Sequence, residues 1–333
     1  MDIFIDPAFS EYYRKLPLVL VDAGASGGLD RKWKDAQKYL QVIAFEPDKR
    51  AVSSLIGSAS SPSVRYLNVA LYREKALLDL HLTRKQETSS IFKPNRAFLD
   101  KFPESDRFDI LTTIQIPADT LDSQLEQLHI EDVDFLKVDV QGSELFVLEG
   151  ATKALGGSII GLEVEAEFVT LYDGQPLFSD IDHLLRGEGF QLFDLRPYYW
   201  KRKTGKDYGG NKGQLIFVEC LYLKDIEHIR DTLSRVRSEN SKKAKALRVI
   251  SICILFGYLD FALEVFEEMR GLFNKDEATI VFSELKKAIR FSSKLPNFPG
   301  RGRLADLFYY LYKATEPTHH GWASVRRVLG NLE

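Results

Sequence analysis

The residues best placed to do chemistry lie between Leu18 and Glu46, in the stretch "LVLVDAGASGGLDRKWKDAQKYLQVIAFE". An acid, Asp22, stands just ahead of the run Gly24-Ala25-Ser26-Gly27-Gly28, and a second acid, Glu46, closes the stretch. Glycine at position 24 lets the backbone turn tightly and approach a ligand with no Cβ in the way. A carboxylate at Asp22 repels a pyrophosphate and attracts an ammonium group. An acid ending the second strand, as Glu46 does, can accept hydrogen bonds from both hydroxyls of a ribose. An amino group at one acid, a ribose at the other and no required phosphate describe S-adenosylmethionine better than NAD. The turn also departs from the GxGxxG pattern of dinucleotide sites.

Rigid elements must hold these residues. Leu18 to Asp22 is a continuous apolar run ending in an acid, the pattern of a strand buried on both faces. The spacing predicts a turn over 23–30, a helix from Arg31 to Tyr39, a strand from Gln41 to Glu46 and a helix from Pro47 to about Leu55. "VRYLNVAL" (64–71) reads as a third strand. "ALLDLHL" (76–82) and "FDILTTIQIPA" (108–118) alternate like an inserted antiparallel pair, with a long polar loop between them. A helix is expected over 120–130, capped by Thr120 or Asp119. A strand follows at 133–140, a helix at 142–155, a strand at 158–168 and a helix at 176–189. Two strands joined by a basic, glycine-rich loop (201–213) read as the antiparallel edge that closes many such sheets. After Lys224 only helical periodicity remains. The expected organisation is therefore an α/β domain over 1–223 and a C-terminal helical domain over 224–333. "LFGYLDFALEVFEE" has the rhythm of a tetratricopeptide hairpin, but no second copy at a fixed period is visible.

Composition narrows the function classes. With 44% hydrophobic and 28% charged residues the chain is not of the disordered class. A net charge of −3 gives no general field for nucleic acid or an anionic membrane. Cys220 and Cys253 are far apart and form no CxxC spacing, which points to a reducing, cytoplasmic compartment. The N-terminal stretch lacks the basic and apolar regions of a signal peptide, and "VISICILFGYL" is too short to span a bilayer.

In "VDAGASGG" (21–28), "AFEPD" (44–48), "NVAL" (68–71), "TSSI" (88–91), "DFLKVDVQGSELFVLEGA" (134–151) and "LEVE" (162–165), residues 16 to 200 resemble the FkbM-type S-adenosylmethionine-dependent methyltransferases. Ser26 stands where that family usually has Asn. The resemblance implies a Rossmann-like class I methyltransferase fold: a mostly parallel seven-stranded sheet with helices on both faces, here with the helical domain appended. It implies that Asp22, Gly24, Ala25, Ser26 and Gly28 surround the methionine part and that Glu46 holds the ribose. Pro47 and Asp48 would lie beside the adenine, Asn68 and Ala70 would border it, and Ser89 and Ser90 would close over the cofactor. Asp139 would stand next to the reactive methyl group.

Methyl transfer to a hydroxyl needs alignment and a place for the proton to go. Asp139, Glu144, Glu165 and His183 are the candidates, and Asp139 comes first because it ends a strand on the cofactor side. Glu144 is equally explained as a helix-capping acid. Glu165 could face the acceptor or share a divalent ion with Asp139, although two acids alone make a weak metal signature. Lys137 shares a strand face with Asp139 and needs an acidic partner, for which Asp139 or Glu163 would serve. His183 fits a packing or surface role, and the adjacent His319 and His320 lack chelating spacing. The aromatic and basic stretch 196–213 could hold a sugar, stack a base or be a solvated loop.

The expected activity is methylation of an oxygen on a sugar, glycan or small secondary metabolite, with a small-molecule or glycan acceptor and no clear nucleic-acid or membrane signal. The C-terminal helices offer a surface for homo-oligomer formation. The alternatives are an NAD-linked oxidoreductase and a non-catalytic fold whose helical tail binds a partner.

Overall fold

A computed structural model of the chain describes residues 7–34, 36–51, 63–205, 213–292, 298–315 and 322–325. In chain order the strands are β1 (Leu18–Ala23), β2 (Leu40–Phe45), β3 (Val64–Leu67), β4 (Ala70–Leu71), β5 (Ala76–Thr83), β6 (Ile110–Asp119), β7 (Phe135–Val138), β8 (Gly161–Glu167), β9 (Phe190–Trp200), β10 (Gln214–Lys224) and β11 (Ala323–Val325). The main sheet runs β11-β9-β10-β8-β7-β1-β2-β3. Its members from β3 to β8 are parallel, and β10, β9 and β11 are antiparallel.

The sheet therefore has eight strands among the described residues, where seven were expected. The extra one is the three-residue β11 on the β9 edge. Trp322 holds it there: its ring packs edge-on to Trp200, and the Arg107 guanidinium lies 4.7 Å from both ring centres.

Each central strand is buried on both faces, which is why it reads as an unbroken apolar run. Leu18 and Leu20 of β1 join Phe135, Leu221 and Leu223 in one core, and Val19, Val21 and Ala23 join Leu136, Val138 and Val164 in another. The first core is covered by helices Ile226–Ser234, Glu239–Leu255, Leu259–Glu268 and Lys275–Ser292. The anchor between these helices and the sheet is ionic. Lys245, fully buried, donates to Asp132, Asp134 and the carbonyls of Val133 and Ser158 at 2.6–3.2 Å. Arg248 reaches the same two acids. Helix Arg301–Thr315, by contrast, leaves Leu307, Phe308, Tyr309, Tyr310 and Leu311 more than half exposed.

The inserted antiparallel pair forms as expected: β5 pairs with β6, and the short β4 adds to β6 to make a second sheet. Other expectations are corrected. The strand over 64–71 divides into β3 and β4, because the Asn68 side chain donates to the carbonyls of Glu46 and Pro47, both at 2.9 Å, and turns the chain between sheets. The helix over 142–155 divides into Glu144–Glu149 and Thr152–Gly157. At the break, Gly150 packs so closely on Tyr72 that a Cβ would lie 2.1 Å from its carbonyl oxygen. The helix over 31–39 shrinks to Arg31–Lys34 and a single turn at Gln37–Tyr39. Thr120, not Asp119, caps helix Leu121–Gln127, accepting from Ser123 N at 3.0 Å. β9 runs to Trp200, so Arg196–Trp200 of the aromatic and basic stretch are strand and the loop begins after them, as expected. Residues 52–55 of the helix expected after Pro47, residues 206–212 of the basic loop, and His319 and His320 lie outside the described residues.

Candidate active site

At the C-terminal ends of β1, β2 and β7 the parallel strands open into a cleft, the position where open α/β sheets bind ligands. The turn after β1 starts at Gly24, whose φ of +86° is costly for any other residue. Its N–H donates to Phe45 O at 3.0 Å, and Asp139 N donates to Ala23 O at 3.0 Å. A Cβ at Gly24 would lie 1.8 Å from the Asp139 carbonyl oxygen. The bare backbone thus lets β1, β2 and β7 converge on one floor.

Glu46 and Asp48 follow β2 and are both buried. Glu46 accepts from Asp48 N at 2.8 Å, and the Asn68 side chain fixes the carbonyls on either side of Pro47. Burial pushes the Glu46 carboxyl up to about 7. Asp48 is clamped by Arg50. Opposite this wall the inserted sheet supplies Leu78, Leu80 and Ile116, and the segment after β5 supplies Gln86, Ser89 and Ile91. The cleft's empty volume, with open solvent at its mouth included, is about 1080 Å³.

The third wall is charged. Lys137, on β7, stands 3.5 Å from Asp22, its register partner on β1. Burial raises Asp22, and Lys137 only partly offsets it. Burial opposes the charge on Lys137, but Asp22, Asp139, Glu163 and Glu219 together outweigh it and hold its pKa above the usual lysine value. Glu163 itself pairs with Lys32 at 2.6 Å. Asp139 follows β7 and accepts from the Gln141 side chain at 3.0 Å, while the same nitrogen donates to Glu165 at 2.9 Å. Glu144 turns away from chemistry: it accepts from Val140 N and Gly142 N and closes the start of its own helix.

Of the residues expected in the site, Gly24, Ser26, Glu46, Pro47, Asp48, Ala70, Ser89, Lys137 and Asp139 line the cleft. Asp22, Ala25, Gly28, Asn68, Ser90 and Glu165 stand outside its lining. Asp22 bears on it through Lys137, Asn68 through the turn at Pro47, and Glu165 through Gln141. Ser90 donates to the Gln141 carbonyl at 2.7 Å and pins the 86–91 wall to the strand-end loop. His183 is exposed on helix Phe178–Gly187 and outside the lining. Gln86, Ile91 and Gln141 were missed. The alternation of Leu78 and Leu80 was a usable signal for the apolar wall, and the place of Gln141 within the motif over 134–151 was a usable signal for that residue.

Comparison with known proteins gives this cleft its family. The profile described as Methyltransferase FkbM domain matches residues 22–192, just over half the chain and the whole of the cleft. The chain belongs to the FkbM methyltransferase family. That family is one of S-adenosylmethionine-dependent methyltransferases, and the chain's mostly parallel sheet with helices has the arrangement expected of class I; the family assignment stands against the NAD alternative. Among solved structures, the FkbM methyltransferase of Methylobacillus flagellatus KT is 16% identical with a TM-score of 0.37, over 62% of this chain and 43% of that one. This chain thus spans less than half of that protein's length. A precorrin-6y C5,15-methyltransferase from Geobacter metallireducens GS-15 is 11% identical with a TM-score of 0.35, over 66% and 87% of the two chains. No curated protein matches the sequence.

The FkbM domain's cleft fits S-adenosylmethionine. It has a side-chain-free turn at Gly24, a buried acid at Glu46, an apolar wall for a purine and an acid-lined end for a positively charged group. Among the described residues no group of three or more His, Cys, Asp or Glu could hold a metal ion, and the Gln141 amide stands between Asp139 and Glu165. No helix among the described residues is long and apolar enough to cross a membrane.

Proposed function

We propose that this methyltransferase acts on an oxygen of a sugar, glycan or small secondary metabolite. The observation that supports this most is Asp139, a carboxylate at the end of β7 that lines the cofactor cleft and is held by the Gln141 amide. S-adenosylmethionine supplies a methyl group already activated on a sulfonium, so the protein must align an acceptor and take up its proton. Asp139 accepts the acceptor hydroxyl's proton, Lys137 steadies the acceptor oxygen, and Glu165 backs the pair through Gln141.

On the cofactor side, Asp22, Gly24, Ala25, Ser26 and Gly28 form the methionine end and Glu46 accepts from the ribose hydroxyls. Pro47, Asp48, Asn68 and Ala70 border the adenine, and Ser89 and Ser90 close the cleft. The two buried, unpaired cysteines support a cytoplasmic setting. The apolar side chains exposed on helix Arg301–Thr315 support association with a second copy.

Transfer of a labelled methyl group from S-adenosylmethionine to a panel of glycans, sugar nucleotides and hydroxylated metabolites tests the reading. Labelled methyl ethers are expected, with Asp139→Asn slower by about 100-fold or more. Transfer to nitrogen or carbon acceptors alone, or full activity in Asp139→Asn, would overturn it.

A further inference from the structure

We propose that Gln141 is a positioning residue that holds Asp139 and Glu165 together at the wall of the cofactor cleft. The inference rests on the cofactor reading above and concerns a residue to which that reading gives only a supporting contact. Both ends of the Gln141 side-chain amide and its backbone carbonyl are engaged. Its side-chain nitrogen donates to Asp139 Oδ1 at 3.0 Å and Glu165 Oε1 at 2.9 Å, and its Oε1 lies 3.0 Å from the Tyr172 hydroxyl. Its backbone carbonyl accepts from Ser90 Oγ at 2.7 Å. The backbone at Gln141 has φ +60°, a region where residues other than glycine are uncommon. Here that conformation places an amide between two carboxylates.

Two carboxylates brought close together repel, and an amide nitrogen with one hydrogen for each is well suited to hold both. The other charged or titratable groups facing the pair are Lys137 on β7, Glu144 at its helix start, Glu167 on β8, Tyr172 in the turn beyond and Glu219 on β10. Burial pushes Glu165 well above the usual carboxyl range, and the charge of Asp139 pushes it further. The hydrogen bond from Gln141 acts in the opposite sense on Glu165, favouring its ionised form.

An acceptor-free measurement tests this. S-adenosylmethionine and S-adenosylhomocysteine share the adenosine and amino-acid parts, and only the first carries a fixed positive charge. The ratio of their dissociation constants therefore reads the negative charge that faces the sulfonium, while the titration of Glu46 cancels. Isothermal titration of the full chain with each ligand from pH 5.5 to 8.5 gives that ratio. In Gln141→Leu the preference for the charged ligand is expected to be several-fold smaller than in the unaltered chain and to appear only at higher pH. Gln141→Met, which keeps the length and removes the donors without adding charge, moves the preference the same way and carries the test if the leucine variant does not fold. Equal weakening of both ligands at every pH, or no change, would overturn the positioning role and leave the cofactor reading standing. Binding of neither ligand by the unaltered chain would overturn both.

Discussion

The Lys137 ammonium lies 3.5 Å from the Asp22 carboxylate, on adjacent strands in register. Lys137 lines the cleft and Asp22, buried, stands outside its lining, so one ion pair joins the end of β1 to the charged wall. Removing one member of a buried pair leaves the other uncompensated, at about 3 kcal/mol. Lys137→Met is therefore expected to lower stability in urea unfolding by about that amount. Asp22→Asn combined with Lys137→Met should recover more than half of it, and simple addition of the two losses would show that they do not act as a pair.

The proposed ribose contact of Glu46 predicts that cofactor binding depends on pH. Its carboxyl is pushed up from 4.5 to about 7 by burial. An acid raised on folding stabilises the fold fully below its unfolded value, near 4.5, and loses that contribution as pH rises through about 7. The contribution is about 3 kcal/mol. Ribose hydroxyls donate to the ionised form, so affinity for S-adenosylmethionine should rise from pH 6 to 8. Glu46→Gln should remove that rise, weaken binding at pH 8 by roughly tenfold, and make the ligand-free protein more stable at pH 8. Titration calorimetry and urea unfolding at both pH values check these outcomes.

Gly24 has no substitute. Alanine there meets both the positive φ and a carbonyl oxygen 1.8 Å from its Cβ. Gly24→Ala should lower stability by about 2–4 kcal/mol and abolish measurable cofactor binding, whereas Gly27→Ala, with nothing within 4 Å of the added carbon, should be mild. Thermal melts with and without S-adenosylhomocysteine separate the two.

The C-terminal helices hold the sheet through Lys245. Its side chain is fully buried and makes four hydrogen bonds to the β7 approach and the end of helix Thr152–Gly157. Lys245→Met leaves Asp134 buried beside Arg248 alone and should cost about 4 kcal/mol. Hydrogen exchange should then rise first in helix Glu239–Leu255. An unchanged exchange pattern there would contradict the anchoring role.

The glycine turn, the acids at the ends of β1 and β2 and the parallel strands were legible because doubly buried strands read as apolar runs with polar ends. The family motifs carried the rest of the cofactor assignment. What escaped depends on contacts between distant parts of the chain. The pattern of "VRYLNVAL" is continuous, and only the Asn68 bonds to Glu46 and Pro47 show why the strand breaks. The helix break at Gly150 depends on Tyr72, far earlier in the chain. Gln141 gains its place from the register that sets Lys137 of β7 beside Glu163 of β8 and so brings Glu165 within reach of the next loop. No local pattern marks Lys245 as buried, and only the docked sheet shows it so.

Titration calorimetry of the full chain with S-adenosylmethionine tests the account most directly. One saturable site is predicted, weakened at least tenfold by Glu46→Ala and also weakened by Asp22→Ala. Absence of binding, or binding indifferent to both substitutions, would contradict it.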